Sequence, residues 1–274
     1  MKFEILLSTM FQTDLGFLDQ IFCNNTINDY NILIINQTTE SKILQSNATN
    51  IRVINSFERG TSASRNLGIK NAKGEICLFA DDDTIFKPNF KNTILNSFEK
   101  HPDAYMVTFE AVDKNNNPHL NYCISGLHNK KTLRTIHMIV MAVKPKLLLE
   151  KNILFNEYFS LGGKFSGATE YVFLRNALYQ NLKSYHQKKV IVEHHELSSG
   201  KQASSDRVIH TRSARKNHFT NSLFAKLWLL KYIFYLVRKK LITTKEIFSK
   251  FKIGIKGINE YNDLLKKGLI KRQK

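Results

Sequence analysis

From Glu58 to Asp83 the chain reads ERGTSASRNLGIKNAKGEICLFADDD. The stretch closes on a wholly apolar run, Ile76 to Ala80, that delivers three consecutive carboxylates, Asp81, Asp82 and Asp83. A short run with no polar alternation reads as a central strand covered on both faces, as in a parallel α/β sheet. Ligand crevices in such sheets lie beyond the carboxyl ends of the strands. Three adjacent acids there repel one another unless a cation neutralises them, and hard oxygen ligands suit Mg²⁺ or Mn²⁺. Upstream, Gly60 allows a tight turn and Thr61 or Ser62 can cap a helix with Ala63, Leu67 and Ala72 on its apolar side, ended near Gly74. Arg65 falls in the first turn of that helix, where backbone N–H groups and a guanidinium together favour an anion. Taken singly, an ordinary surface arginine and a solvated acidic turn would explain these residues; in combination they point to a phosphate-bearing ligand held through a metal.

Working outward, Phe3–Leu7, Tyr30–Ile35, Ile51–Ile54 and Ala104–Ala111 read as strands, and residues 15–22 and 89–100 as helices, the second with Phe90, Ile94, Leu95 and Phe98 on one side. Alternation of this kind implies an α/β layered fold. The first glycine is Gly16, so no glycine-rich loop follows the first strand. A dinucleotide fingerprint and a P-loop are thereby excluded, and side chains at strand ends must hold any nucleotide.

Three motifs together, Ser64-Arg65-Asn66-Leu67-Gly68-Ile69, Ala72-Lys73-Gly74-Glu75-Ile76 and Asp81-Asp82-Asp83, resemble the family 2 glycosyltransferases of bacterial capsule and lipopolysaccharide synthesis, which have the GT-A fold. The resemblance runs from the first strand to about residue 200. It implies a Rossmann-like mixed sheet flanked by helices, a nucleotide-sugar donor (a UDP-sugar above all), and Mn²⁺ or Mg²⁺ as cofactor. It implies Thr9, Asn36 and Gln37 at the base and ribose, Arg65 at the diphosphate, Asp82 at the ribose or donor sugar, and Asp81 and Asp83 on the metal. Many relatives carry acids where this chain has Asn36-Gln37. Relatives have Gly-Glu-Asp or Gly-Glu-Glu where this chain has Ala168-Thr169-Glu170, which implies Glu170 as the catalytic base of an inverting transfer. Glu170 also sits at a loop-to-helix junction, where the helix dipole stabilises a carboxylate, so a capping role is its plain alternative. Late in the chain, VIVEHHELSSG from Val190 to Gly200 reads as a strand tipped by His194 and His195. The resemblance implies His195 as a further metal ligand; paired polar histidines at a strand end are the other reading. His101, His119, His128, His137 and His186 show no metal-like spacing.

Charge divides the chain unevenly. Residues 211–274 hold 17 Lys and Arg against three acids, so most of the formal net charge of +18 lies in the last quarter. The expected organisation is therefore a catalytic domain over 1–210 and a basic, amphipathic helical segment over 211–274. Phe219–Val237 is rich in Leu, Phe, Trp and Tyr but holds Lys226 and Lys231, which argues against a spanning helix of ~20 apolar residues. An interfacial helix on an anionic membrane fits, as does a helix closing the catalytic core. Three widely spaced cysteines and no secretory signal suggest a reduced cytoplasmic setting, peripheral to the inner face of the plasma membrane, with a glycan or lipid-linked oligosaccharide as acceptor. Two other classes remain: a nucleic-acid-binding protein gripping phosphates with the basic tail, Trp228 and Tyr232, which leaves the aspartates unexplained, and an inactive nucleotide-binding scaffold.

Overall fold

The aspartate-tipped strand occupies the position its composition demands. In the computed structural model, which describes residues 1–194 and 203–272, β4 (Ile76–Asp81) runs between β1 (Phe3–Met10) and β8 (Met141–Val143). Ile76, Cys77, Leu78, Phe79 and Ala80 are all buried. The sheet order is β3 (Ile51–Ser56), β2 (Asn31–Gln37), β1, β4, β8, β6 (Ala104–Val112), β9 (Lys183–His194) and β5 (Thr84–Phe86). Strands β1 to β4 are mutually parallel, β8 runs against both its neighbours, and β9 lies parallel to β6. β5 and the two-residue β7 (Gly126–Leu127) pair with β9 in the antiparallel sense. The expected mixed α/β sheet flanked by helices is thus present, with the carboxyl ends of β1, β2 and β4 aligned at one edge.

Helices α1 (Phe17–Ile21), α2 (Thr61–Asn71), α3 (Phe90–Lys100) and α4 (Pro145–Glu150) cover the sheet, with α5 (Thr169–Tyr179) following before β9. One face is closed by aromatics: Phe90 stacks on Phe86 at 4.2 Å and on Tyr30 at 5.0 Å. The connection from α2 into β4 is equally determined. Glu4 is buried, pairs with Arg52 at 2.7 Å, and accepts hydrogen bonds from the backbone N–H groups of Lys73 and Gly74. A Cβ at Gly74 would stand 2.7 Å from Glu4 Cβ, so only glycine lets the chain pass there.

The chain divides into two units, Met1–Phe155 with Phe173–Glu196, and Asn156–Val172 with Leu197–Lys274. This departs from the expected boundary at residue 210, which falls inside α6 (Asp206–His218). The composition shift at 211 records where the charge changes, whereas the unit is bounded by which residues share a core. In the second unit α6 packs with α7 (Ser222–Arg238) and α8 (Ile247–Lys266) around Ile209, Leu229, Ile233, Leu236 and Ile258. Phe159, Phe165, Val172, Ala214 and Tyr261 form a second cluster there. A Cβ at Gly254 would run into the Leu229 methyls and one at Gly257 into the His210 carbonyl, so α8 approaches its neighbours at glycines. Trp228 stacks on Tyr232 at 4.9 Å; Tyr232 is buried, its hydroxyl donating to Ala203 O at 2.8 Å and accepting from Arg212. That aromatic pair is packing, not an open platform for bases.

Candidate active site

The three aspartates have three different partners. Asp81 closes β4 opposite Ser8 of β1, and Arg65 Nη2 lies 3.2 Å from each of its carboxylate oxygens. Arg65 belongs to the second turn of α2 rather than the first, and is buried with this ion pair as its charge partner. The helix starts after Gly60, whose φ of 128° takes the chain into α2 with no side-chain cap, in place of the expected hydroxyl cap. Asp82 accepts a hydrogen bond from the buried Thr9 hydroxyl at the end of β1. Asp83 is the most exposed of the three, and His194 Nε2 lies 3.0 Å from its Oδ2. The β5–β9 register causes this: Thr84 pairs with His194, which sets the imidazole beside the residue preceding Thr84.

The neighbouring residues of the α2 motif act on the backbone. Ser64 Oγ meets Ser8 Oγ at 2.9 Å. Asn66 donates to Phe155 O at 2.9 Å and accepts from Phe155 N at 2.7 Å, clamping that residue at both groups. Phe155 in turn stacks on Phe173 of α5 and meets Phe79 of β4 edge-on. The motif thus locks α2 and β4 into one frame.

Asn36 and Gln37 are 0% and 5% exposed and make similar clamps. Asn36 donates to Gln12 O and accepts from Gln12 N, and also donates to Asn55 Oδ1. Gln37 donates to Gly60 O and accepts from Gly60 N. Their amides are engaged in holding the loops after β1 and before α2, so these side chains, expected at the base and ribose, shape the rim of the crevice. In the first of those loops stands a residue that periodicity does not single out. Phe11 is partly exposed in a left-handed conformation (φ 57°), with Arg59 5.2 Å and Lys42 5.8 Å from its ring centroid.

A second unforeseen feature is the histidine cluster beyond β6 and β9. His119 Nε2 donates to His194 O at 2.7 Å, and the His119 ring lies 5.5 Å from that of His194 and 6.1 Å from that of His137. Burial, with the neighbouring His119 and His194, lowers the His137 pKa to about 4. Their spacing in sequence gives no hint of this, because two loops bring His119 and His137 to the end of β9. His195 lies outside the described residues.

Glu170 belongs to the second unit, in the first turn of α5. Before it Gly167 (φ 118°) and Ala168 (φ 63°) are both left-handed, and Thr169 is buried. Glu170 itself is partly exposed at a helix N-terminus, where the dipole stabilises a carboxylate.

The donor set bears on the metal. Among the described residues no three His, Cys, Asp or Glu side chains form a cation cage. Asp83 and His194 stand together as two protein donors, which suits a divalent ion that keeps waters and completes its shell from phosphates. The residues present fit such an ion.

A profile of "Glycosyl transferase family 2" matches residues 17–157, just over half of the chain. The chain belongs to glycosyl transferase family 2. Among curated proteins, this family 2 chain is 28% identical over 89 residues to an uncharacterized glycosyltransferase of Haemophilus influenzae; the match spans 31% of the chain and 30% of that protein. Among solved structures, S. aureus TarS residues 1–349 superimpose with a TM-score of 0.56 at 13% identity, covering 97% of this chain and 83% of that one. The same TarS fragment in complex with UDP-GlcNAc gives 0.58 at 11% identity, covering 99% and 93%. At such identity the likeness concerns the fold.

Proposed function

We propose that this glycosyltransferase is an inverting, metal-dependent enzyme that moves a sugar from a UDP-sugar to a hydroxyl of a glycan or lipid-linked acceptor in surface polysaccharide synthesis. The observation that carries the reading is the convergence of Arg65, Thr9 and His194 on the three carboxylates at the end of β4. The TarS structures in complex with UDP and with UDP-GlcNAc support the choice of donor class.

Asp83 and His194 would hold Mn²⁺ or Mg²⁺, with Asp81 available once Arg65 turns to a phosphate and His195 a further candidate. Such an ion would offset the negative charge that builds on the departing diphosphate. Arg65, buried beside the carboxylates, supplies a second positive charge in a water-poor setting where it counts for more. Thr9 fixes Asp82 toward the ribose or donor sugar. Phe11, with Lys42 and Arg59 near its ring, would offer the base an aromatic contact in the loop that Asn36 holds. Glu170 takes the proton of the acceptor hydroxyl, whose oxygen attacks the anomeric carbon as the bond to the diphosphate breaks. One displacement of this kind inverts the anomeric centre.

Calorimetry of UDP with and without Mn²⁺, on wild type and Asp83→Ala, tests the donor side. Manganese-dependent binding that falls at least tenfold in the variant is expected; equal binding in both removes Asp83 from the site. Glu170→Gln is expected to keep UDP binding while turnover drops by about 10²–10⁴-fold. Full turnover in that variant assigns the base elsewhere.

A further inference from the structure

The exposed side of α7 carries an apolar stripe of its own. Ala225, Leu229, Ile233 and Leu236 face the core of the second unit, as a surface helix requires, and the opposite arc should then be polar. Instead it presents Leu223, Leu227, Leu230 and Phe234, which are 66%, 55%, 45% and 58% exposed. With 3.6 residues per turn these four positions fall within an arc of about 60°. Cations border that arc on both sides, Lys226 on one and Lys231 with Arg238 on the other, all exposed. Lys239 and Lys240 extend the basic border at the carboxyl end, and no acid occurs in the helix.

We propose that this face of α7 docks on an anionic lipid bilayer, with the helix lying in the plane of the interface. The four apolar side chains enter the boundary between headgroups and acyl chains while the flanking cations meet lipid phosphates. Crossing the bilayer is not the arrangement: among the described residues no helix is long and apolar enough to span, and 17 residues reach about 25 Å against a hydrocarbon core of about 30 Å. Charge also selects lipid over a second copy of the chain. A symmetric contact through this face would set Lys226, Lys231 and Arg238 against their own counterparts, in a protein already at +18. The inference rests on α7 alone and is independent of the donor site.

The test is co-sedimentation of the full chain with phosphatidylcholine vesicles, with and without phosphatidylglycerol, at low and high salt. Binding that requires the anionic lipid, weakens with salt and falls about tenfold in Leu227→Asp/Phe234→Asp is expected. Leu149→Asp, which changes an exposed leucine in α4, should bind as wild type does. Sedimentation velocity and UDP calorimetry on the same variants complete the experiment. No affinity for anionic vesicles, or equal loss in both variants, overturns the proposal. So does a dimer that the α7 variant dissolves, since the occupant is then a second copy. UDP binding should be unchanged by the α7 variant, so its absence from wild type would count against the donor reading and not against this one.

Discussion

At the scale of single residues, titration exposes what the fold does with its histidines. His128 is buried against the Thr108 and Thr132 hydroxyls, at 2.7 and 3.0 Å, with His186 bonded to the same Thr108 oxygen. Burial, and then the nearby His186, lowers its pKa to about 4. The folded state therefore holds it neutral, and protonation favours the unfolded chain. Its contribution to stability is complete above pH ~6.5 and fades as pH falls toward 4, by about 1.4 kcal/mol per pH unit. Urea midpoints measured between pH 7 and pH 4.5 should fall, and His128→Gln should flatten that slope; an unchanged slope would place the loss in other groups. The same imidazoles show where reading the sequence stopped. Asp81, Asp82 and Asp83 were legible because three acids after an apolar run carry their chemistry in adjacent positions. His194 beside Asp83 was not, because only the β5–β9 register brings its imidazole there. The clamping amides of Asn36 and Gln37 were equally hidden, since a strand-end amide looks alike whether it faces a ligand or a backbone.

At the scale of elements, strands and helices with a strong apolar pattern stood out and those without it did not. β5 and β8 have three residues each, too short for any period to show. α6 carries seven charged or histidine side chains among its 13 residues, and its apolar contacts are set by α7 and α8 rather than by its own pattern. The entry to α5 offers a test. Ala168 adopts a left-handed conformation that an L-residue reaches at a cost of about 1–2 kcal/mol, immediately before the turn that bears Glu170. Ala168→Gly should therefore stabilise the chain by about 1 kcal/mol net of glycine's added freedom in the unfolded state. Thermal unfolding reads this as a rise in Tm of a few degrees; a fall would show that the methyl group packs usefully enough to outweigh the strain.

For the whole molecule, the net charge of +18 sets how a polyanionic donor arrives. Association of UDP should be fast at low salt and slow about tenfold as the ionic strength rises from ~0.01 to ~0.5 M, because screening shortens the reach of the field. Stopped-flow binding with salt titration measures this, and a salt-independent rate would mean that local contacts alone guide the nucleotide. The charge imbalance was plain in the sequence. The division into two units was not, because Asn156–Val172 joins residues beyond 197 that share no motif with it. The order of the sheet carries one more consequence, for the chain as it emerges from the ribosome. β6 pairs with β8 on one side, but its other neighbour, β9, is synthesised more than 70 residues after β6 ends. Until residues 183–194 appear, β6 presents the open edge of a nearly complete sheet, nine buried residues long, to every other nascent chain nearby. Delay at that stage of synthesis prolongs the exposure of that edge.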